Sequence, residues 1–499
     1  MRYREPNPIS RPARAAVLAV VFVLTACGGD ATGPTEPPPT ITTSALADGV
    51  LGEVYTEGVN ATGGSGALSW TVVTGALPPG LQANLDDLGE SDLVISGTPQ
   101  EEGTFEFRIE AEDGAGRADT AAFSITILPP PEPVAVTTPA LPPALDGAVY
   151  RVTLRAAGGD ARDYRWSVVE GALPPGLELS TDGEFSGVAS TPDTSTFTVE
   201  VESGGETHRR TFTLAVVEER SDRFNITTFA VVEIPPGLRA NVEAAVQRWE
   251  AAIVGDLRPV SIPQDYFEPS DCGGFGDVVN GTATDDVLMV ISIDSIDGPG
   301  QILGQAGPCA VRGADTLPYV GALVLDEADL SSIDSEETVT DLIQHEMGHV
   351  LGFGTLWPLY GLLVDEGSTD PRYIGEQAAA EYQDAGGATD SIPVENEGGE
   401  GTRDSHWRES VFDRELMTGF AERPGVDMFL SEMTIASFAD LGYRVDVSAA
   451  DDVDLLSTLL YGERDTTDER LGYDVAGIGR IHITYDDGTR TIVRAPGGP

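Results

Sequence analysis

The seven residues Gly75-Ala76-Leu77-Pro78-Pro79-Gly80-Leu81 return unchanged as Gly171-Ala172-Leu173-Pro174-Pro175-Gly176-Leu177. No other feature constrains the first half of the chain as strongly. Trp70 and Trp166 precede the two copies at the same distance, and Tyr55 and Tyr150 lie upstream of each. Ile95-Ser96-Gly97-Thr98-Pro99 has a weaker echo in Phe185-Ser186-Gly187-Val188. Each unit closes on alternating runs, Thr104 to Ile109 and Thr196 to Val201. Period-two alternation broken by Gly and Pro predicts antiparallel strands with one buried face. Two such units, each about ninety residues long, predict tandem all-β sandwiches over 45–128 and 140–218. The Pro-rich stretch 129–139 is the linker between them.

A chain of 499 residues has room for about three or four domains. Abundant Gly (58) and Pro (34), with only 7% aromatics, favour turn-rich β modules over long bundles. The 82 acidic residues outnumber 29 basic ones, all Arg, for a net charge of −53. A surface of that sign repels phosphate backbones, so nucleic acid is excluded as a partner. It suits a well-solvated extracellular surface. Acidic loops could hold Ca2+, but no EF-hand spacing supports it.

The amino end reads as targeting. Arg2, Arg4, Arg11 and Arg14 precede an apolar run, Ala15 to Leu24, that is too short to span a bilayer. Leu24-Thr25-Ala26-Cys27 then resembles the lipobox of bacterial lipoproteins. The resemblance implies a signal peptide over 1–26, an acylated Cys27 and a Pro/Gly/Thr-rich tether over 27–44. The membrane would be met through that lipid only. Gly28 rather than Asp after the Cys implies no inner-membrane retention, so the expected location is the outer membrane or cell surface. The competing reading is plain secretory cleavage with Cys27 incidental. With Cys27 lipidated, Cys272 and Cys309 remain as an even pair in an oxidising compartment, and a disulfide between them is expected. Two buried free thiols are the alternative.

From Phe224 the texture changes. Asn225 to Ile234 reads as a strand. Leu238, Val242, Val246, Trp249 and Ile253 form one helical face. Val287 to Ile293 and Tyr319 to Leu325 read as strands, and Thr338 to Leu351 as a helix with an acidic start. The result is an α+β domain over 224–450. Residues 451–499 form a tail or small β-element, with an alternating run from Arg480 to Tyr485.

Asp341-Leu342-Ile343-Gln344-His345-Glu346-Met347-Gly348-His349-Val350-Leu351-Gly352 carries the chemistry. His345 and His349 are four apart and share a helix face, a pairing suited to one Zn2+. Glu346 stands beside the first of them, placed to act as general base and acid toward a metal-activated water. A catalytic zinc site needs a third protein ligand. Thr355 stands where most metzincins have a third His, so the short motif is broken. The residues leave two options: His406, or a glutamate among Glu366, Glu376 and Glu381, as in thermolysin-like enzymes.

The run His345 to Phe353, a long insertion, His406 and then Glu415-Leu416-Met417-Thr418-Gly419 resembles the leishmanolysin family. In that family the third His is displaced by an inserted segment and a Met-containing turn follows. The resemblance implies a zincin-type metallopeptidase fold, His406 as third ligand, Met417 as the Met-turn residue, and Ser431 to Tyr443 as the closing helix. The Cys-rich character of the protozoan members is missing, as is a pro-segment Cys. The aromatic, Trp, LPPGL and SGTP combination upstream resembles bacterial Ig-like domains, which implies spacer or adhesive roles.

The expected function is extracytoplasmic zinc-dependent hydrolysis of peptide bonds in a protein or peptide substrate, with oligomeric state undetermined. The alternative is a surface adhesin with an inactive peptidase fold. Tyr319 to Leu325 is either the edge strand that pairs with substrate or an interior strand.

Overall fold

A computed structural model describes residues 36–453, 473–476, 480–484 and 490–494. Short stretches at 86–92, 160–162, 301, 331–335, 400, 423–425 and 427 are excepted. The expected signal peptide and Cys27 lie outside the described residues. The chain divides into two compact units at Pro130/Pro131.

The first unit is a sandwich. One sheet orders Gly49–Val50, Ala118–Leu128, Gly103–Glu112 and Ser69–Gly75; the other orders Tyr55–Val59, Leu93–Gly97 and Leu81–Leu85. Val59, Ile95, Ile109 and Ile125 are among the residues that fill the space between them. The second sandwich repeats the plan with Ala144–Leu145, Glu206–Val217, Asp193–Ser203 and Arg165–Gly171 facing Val149–Thr153, Glu184–Val188 and Leu177–Leu179.

The repeated motifs meet in space. Gly80 has φ +94°, and a β-carbon there would lie 2.0 Å from the Thr98 carbonyl oxygen. Gly176, at φ +88°, would strike the Val188 carbonyl at the same distance. Only glycine fits both the conformation and the contact. The repeated tyrosines also act alike: Tyr55 donates to the Ala47 carbonyl (2.9 Å) and Tyr150 to that of Pro142 (3.0 Å). Trp166 is buried and Trp70 half-buried, both packed with the sandwich cores.

The remaining residues build a mixed sheet with helices. Its strands are β1 (Ile226–Ala230), β2 (Val287–Asp294), β3 (Ile302–Arg312), β4 (Pro318–Asp326), β5 (Tyr473–Ala476), β6 (Arg480–Thr484) and β7 (Arg490–Arg494). Their order is β1-β2-β4-β3-β6-β7, with β5 also paired to β3. β1, β2 and β4 run parallel; β3 is antiparallel to β4. Tyr319 to Leu325 therefore lies inside the sheet, and the edge-strand option is corrected. Its apolar run is continuous because both sheet faces are covered. Leu323 and Leu325 enter the core under the helices, while Val320 and Ala322 enter a second cluster on the opposite face.

Four helices matter here: α1 (Pro236–Ala252), α2 (Glu336–Val350), α3 (Glu376–Asp384) and α4 (Glu432–Leu441). α1 starts on a proline at its first turn, where no amide hydrogen is needed. It buries Leu238, Val242, Ala245 and Trp249, and the Trp249 indole donates to the Gln344 carbonyl of α2 (2.8 Å). α2 packs on α1 and over β3 and β4. On the far face of the sheet, a Cys272–Cys309 disulfide ties the segment between α1 and β2 to β3.

Three described stretches of the tail, β5, β6 and β7, belong to this sheet. Residues 480–484 pair with β3 at Ala310 to Arg312, and Ile481 and Ile483 join the main core. His482 is buried and its ring lies 3.2 Å from the Asp271 carboxylate.

Candidate metal centre

α2 sets the first two histidines. His345 and His349 project from one face, and their Nε2 atoms are 3.0 Å apart. The helix stops at Gly352, whose φ of +115° is left-handed, and the Phe353 amide turns back to the Gly348 carbonyl (3.0 Å). Thr355, at the position where a third His was sought, donates its hydroxyl to the His349 carbonyl (2.9 Å). It supports the helix end.

His406 arrives from the loop beyond. Its Nε2 lies 3.3 Å from that of His345 and 2.9 Å from that of His349. The loop is fixed by the next residue: Trp407 is buried among Phe353, Trp357 and Tyr373, with ring centroids 5.0, 5.0 and 5.3 Å away. Its indole donates to the Thr434 hydroxyl (2.7 Å). Truncating Trp407 would cost about 3–5 kcal/mol by the usual core deletion. Among the alternatives, Glu366 and Glu376 are exposed and Glu381 half-buried. None of the three joins the histidine cluster.

The protonation state of the three rings follows from their other nitrogens. His345 Nδ1 is 2.5 Å from the Leu416 carbonyl, His349 Nδ1 is 2.9 Å from that of Phe353, and His406 Nδ1 is 2.8 Å from that of Thr402. A carbonyl can only accept, so each Nδ1 carries the hydrogen. In the neutral rings all three Nε2 atoms then point lone pairs at one another, and none can donate. Such a convergence repels unless a cation sits among them. Nitrogens at 2.0–2.1 Å from a tetrahedral zinc lie about 3.3 Å apart, close to the spacings observed. The residues fit zinc, and the carbonyls supply the outer hydrogen bonds that orient metal-binding imidazoles.

Glu346 follows His345 in the helix and is fully buried. It faces β3. A β-carbon on Gly304 would lie 2.2 Å from Glu346 Oε1, so glycine there is what lets the carboxylate keep this position.

Residues 276–458 match the leishmanolysin family model, and 37–128 and 132–217 each match the model described as "Putative Ig domain". Over residues 276–458 the chain is similar to leishmanolysin. Leishmanolysin of Leishmania donovani is 28% identical over 197 residues, covering 36% of this chain and 32% of the relative. That of Leishmania amazonensis is 31% identical over 195 residues, covering 37% and 30%. The chain thus spans about a third of the length of the curated relatives it matches. Among solved structures, the titin fragment I67–I69 aligns at 14% identity and a TM-score of 0.25, covering 39% of this chain and 71% of that one. A likeness that low carries no argument.

The leishmanolysin-like domain places Met417 against α2. A β-carbon on Gly348 would lie 2.9 Å from its sulfur. The turn carrying Met417 is held by Glu415, which the sequence offered only as part of a motif. Its buried carboxylate accepts from the Met417 amide (2.7 Å), from the Ser431 hydroxyl (2.7 Å) and from the Thr434 hydroxyl. Burial raises its pKa, and those donors pull the other way. Beside His345 a small apolar recess is lined by Leu303, Leu342, Phe420, Ala421 and Met428. Along β3 the edge nearest Glu346 is already paired: Ile302 with Tyr473, Gln305 with Val475 and Ala306 with Ala476.

Proposed function

We propose that this chain is an extracytoplasmic zinc-dependent endopeptidase, tethered by lipid on Cys27. The observation that carries this reading is the meeting of three Nε2 lone pairs beside Glu346. His345, His349 and His406 would hold the metal, with Met417 packed behind them. Zinc would supply a lowered water pKa and polarisation of the scissile carbonyl. Glu346 takes the proton from the attacking water and delivers it to the leaving amine. Its burial against Gly304 keeps that carboxylate in one place between the two transfers.

Export and lipidation rest on the sequence 1–27 alone. Among the described residues no helix is long and apolar enough to cross a membrane. The two sandwiches act as spacers or contact a surface partner in this reading.

The test is casein hydrolysis by the soluble protein lacking residues 1–27, beside a Glu346→Ala variant of equal zinc content. The parent is expected to cleave, and the variant to lose roughly 10²–10⁴-fold in rate. Equal cleavage by both would remove Glu346 from the mechanism. Zinc-free, inactive parent protein would favour the inactive surface adhesin.

A further inference from the structure

The Leu416 carbonyl that accepts the His345 Nδ1 hydrogen belongs to the same peptide group as the Met417 amide. A trans peptide is planar, so its C=O and N–H point in opposite directions. On one side stands His345, at 2.5 Å. On the other stands the Glu415 carboxylate, whose Oε2 accepts from the Met417 amide at 2.7 Å. One rigid group therefore joins a buried acid to a ring whose Nε2 faces those of His349 and His406.

The acid is itself held in place. Glu415 is fully buried. Its Oε1 accepts from the Ser431 amide (3.2 Å), the Ser431 hydroxyl (2.7 Å) and the Thr434 hydroxyl. Thr434 also accepts from the Trp407 indole (2.7 Å), and the Trp407 amide donates to the Met417 carbonyl (3.0 Å). Trp407 directly follows His406, so the same carboxylate braces the loop that carries the third histidine. Each Glu415 oxygen receives one backbone N–H. An amide side chain in its place would have to turn its NH2 toward one of them.

Polarisation runs along such a chain. A carboxylate that draws on an N–H makes the carbonyl of the same peptide a stronger acceptor. A stronger acceptor at Nδ1 fixes the ring and makes its other nitrogen a better metal ligand. The arrangement behind His406 differs. There Nδ1 meets the Thr402 carbonyl, and the N–H of that peptide, on Arg403, goes to the Gly399 carbonyl (3.1 Å), an uncharged acceptor.

We propose that Glu415 is a positioning residue for the metal, acting on His345 through the Leu416–Met417 peptide. This role rests on the reading that His345, His349 and His406 hold zinc. Glu415 makes no contact with the metal. It keeps the His345 ring aligned and electron-rich, and zinc affinity depends on its charge.

The test is the zinc dissociation constant of the soluble chain lacking residues 1–27, measured by competition with a chelator. The melting temperature of each metal-free form and the visible absorption of each cobalt-substituted form are recorded beside it. Glu415→Gln keeps the shape and removes the charge. It should bind zinc roughly 10–100-fold more weakly and alter the cobalt spectrum. Glu415→Asp keeps the charge, and an aspartate readily accepts from the amide two residues on. It should melt lower than the parent yet bind zinc more tightly than Glu415→Gln. Asp440→Asn controls for lost stability alone: its carboxylate accepts from the amides of Gln377 (2.8 Å) and Ala378 (3.1 Å) and bonds none of the three histidines. It should melt lower and keep the parental zinc affinity. The proposal is overturned if Glu415→Gln holds zinc as tightly as the parent, if Glu415→Asp does no better than Glu415→Gln, or if Asp440→Asn weakens zinc as much. Should Glu415→Gln not fold, parental affinity in Glu415→Asp is the expected result, and a loss of about tenfold or more the contrary one. A parent that takes up no zinc would overturn the metal centre itself, an outcome distinct from the others.

Discussion

The thioether of Met417 lies directly against the backbone of Gly348, the residue before His349. A β-carbon on that glycine would meet Met417 Cε at 2.8 Å, Sδ at 2.9 Å and the Trp249 ring at 3.2 Å. Gly348→Ala is therefore expected to cost about 1–3 kcal/mol by overpacking and to weaken zinc retention. Met417→Leu, which nearly conserves volume, should cost less than about 1.5 kcal/mol. Urea denaturation of the zinc-loaded proteins measures both. An alanine variant as stable as the parent would mean that the sulfur can move aside freely.

Gly304 and Glu346 make a second such pair, one that separates chemistry from stability. Gly304→Ala puts a methyl group 2.2 Å from where Glu346 Oε1 now lies, so the carboxylate must turn. Peptidase activity is expected to fall by roughly 10²–10⁴-fold, the usual range for losing a general base. Zinc content should stay at the parental level, because no histidine is touched. Activity within a few-fold of the parent would show that Glu346 has room to adjust.

Tyr473–Ala476 pairs with the stretch of β3 that passes Glu346. An extended peptide that reached the zinc by pairing with this edge would have to displace it. Val475→Pro removes an amide hydrogen and disfavours the pairing without touching the histidines. The initial rate of casein hydrolysis should rise several-fold. An unchanged rate would mean that substrates approach without using this edge.

In the first sandwich, the Asp113 carboxylate accepts from the amides of Arg117, Ala115 and Ser65, each at 3.0 Å, and from the Arg117 side chain. The Arg117 amide, followed by the other donors, holds its pKa well below the usual carboxylate range. A folded pKa below the unfolded one gives stability that is complete above about pH 3.9 and is lost as pH falls through the folded value. Asp113→Asn should therefore speed hydrogen exchange in 103–128 strongly at pH 7 and hardly at all near the acid limit. An effect that does not shrink with acid would assign Asp113 a role independent of its charge.

The histidine pair was legible because four-residue spacing on a helix is a local property, and His406 because few other residues in the domain offer an imidazole. The strands were legible too, from apolar runs and alternation. Their neighbours were not. Val320 to Leu325 is buried on both faces, so its sequence carries no mark of which strands flank it. The run Arg480 to Thr484 announced a strand, yet its parallel partner, β3, has no turn nearby to betray it. Thr355 was seen only as a missing ligand, and its hydroxyl bond to the helix end has no sequence signature.

The pairing of Ala310 with His482 has a consequence for the order in which the molecule matures. Each sandwich closes on strands near in sequence, so each can form as soon as its own residues have emerged. β3 waits. Until residues 480–484 arrive, its far side is a row of unpaired amides and carbonyls, an invitation to join another chain. Contacts that close so long a loop form slowly. The peptidase sheet is then the last part of the chain to reach its native state, and the interval before it does is when aggregation is most threatening.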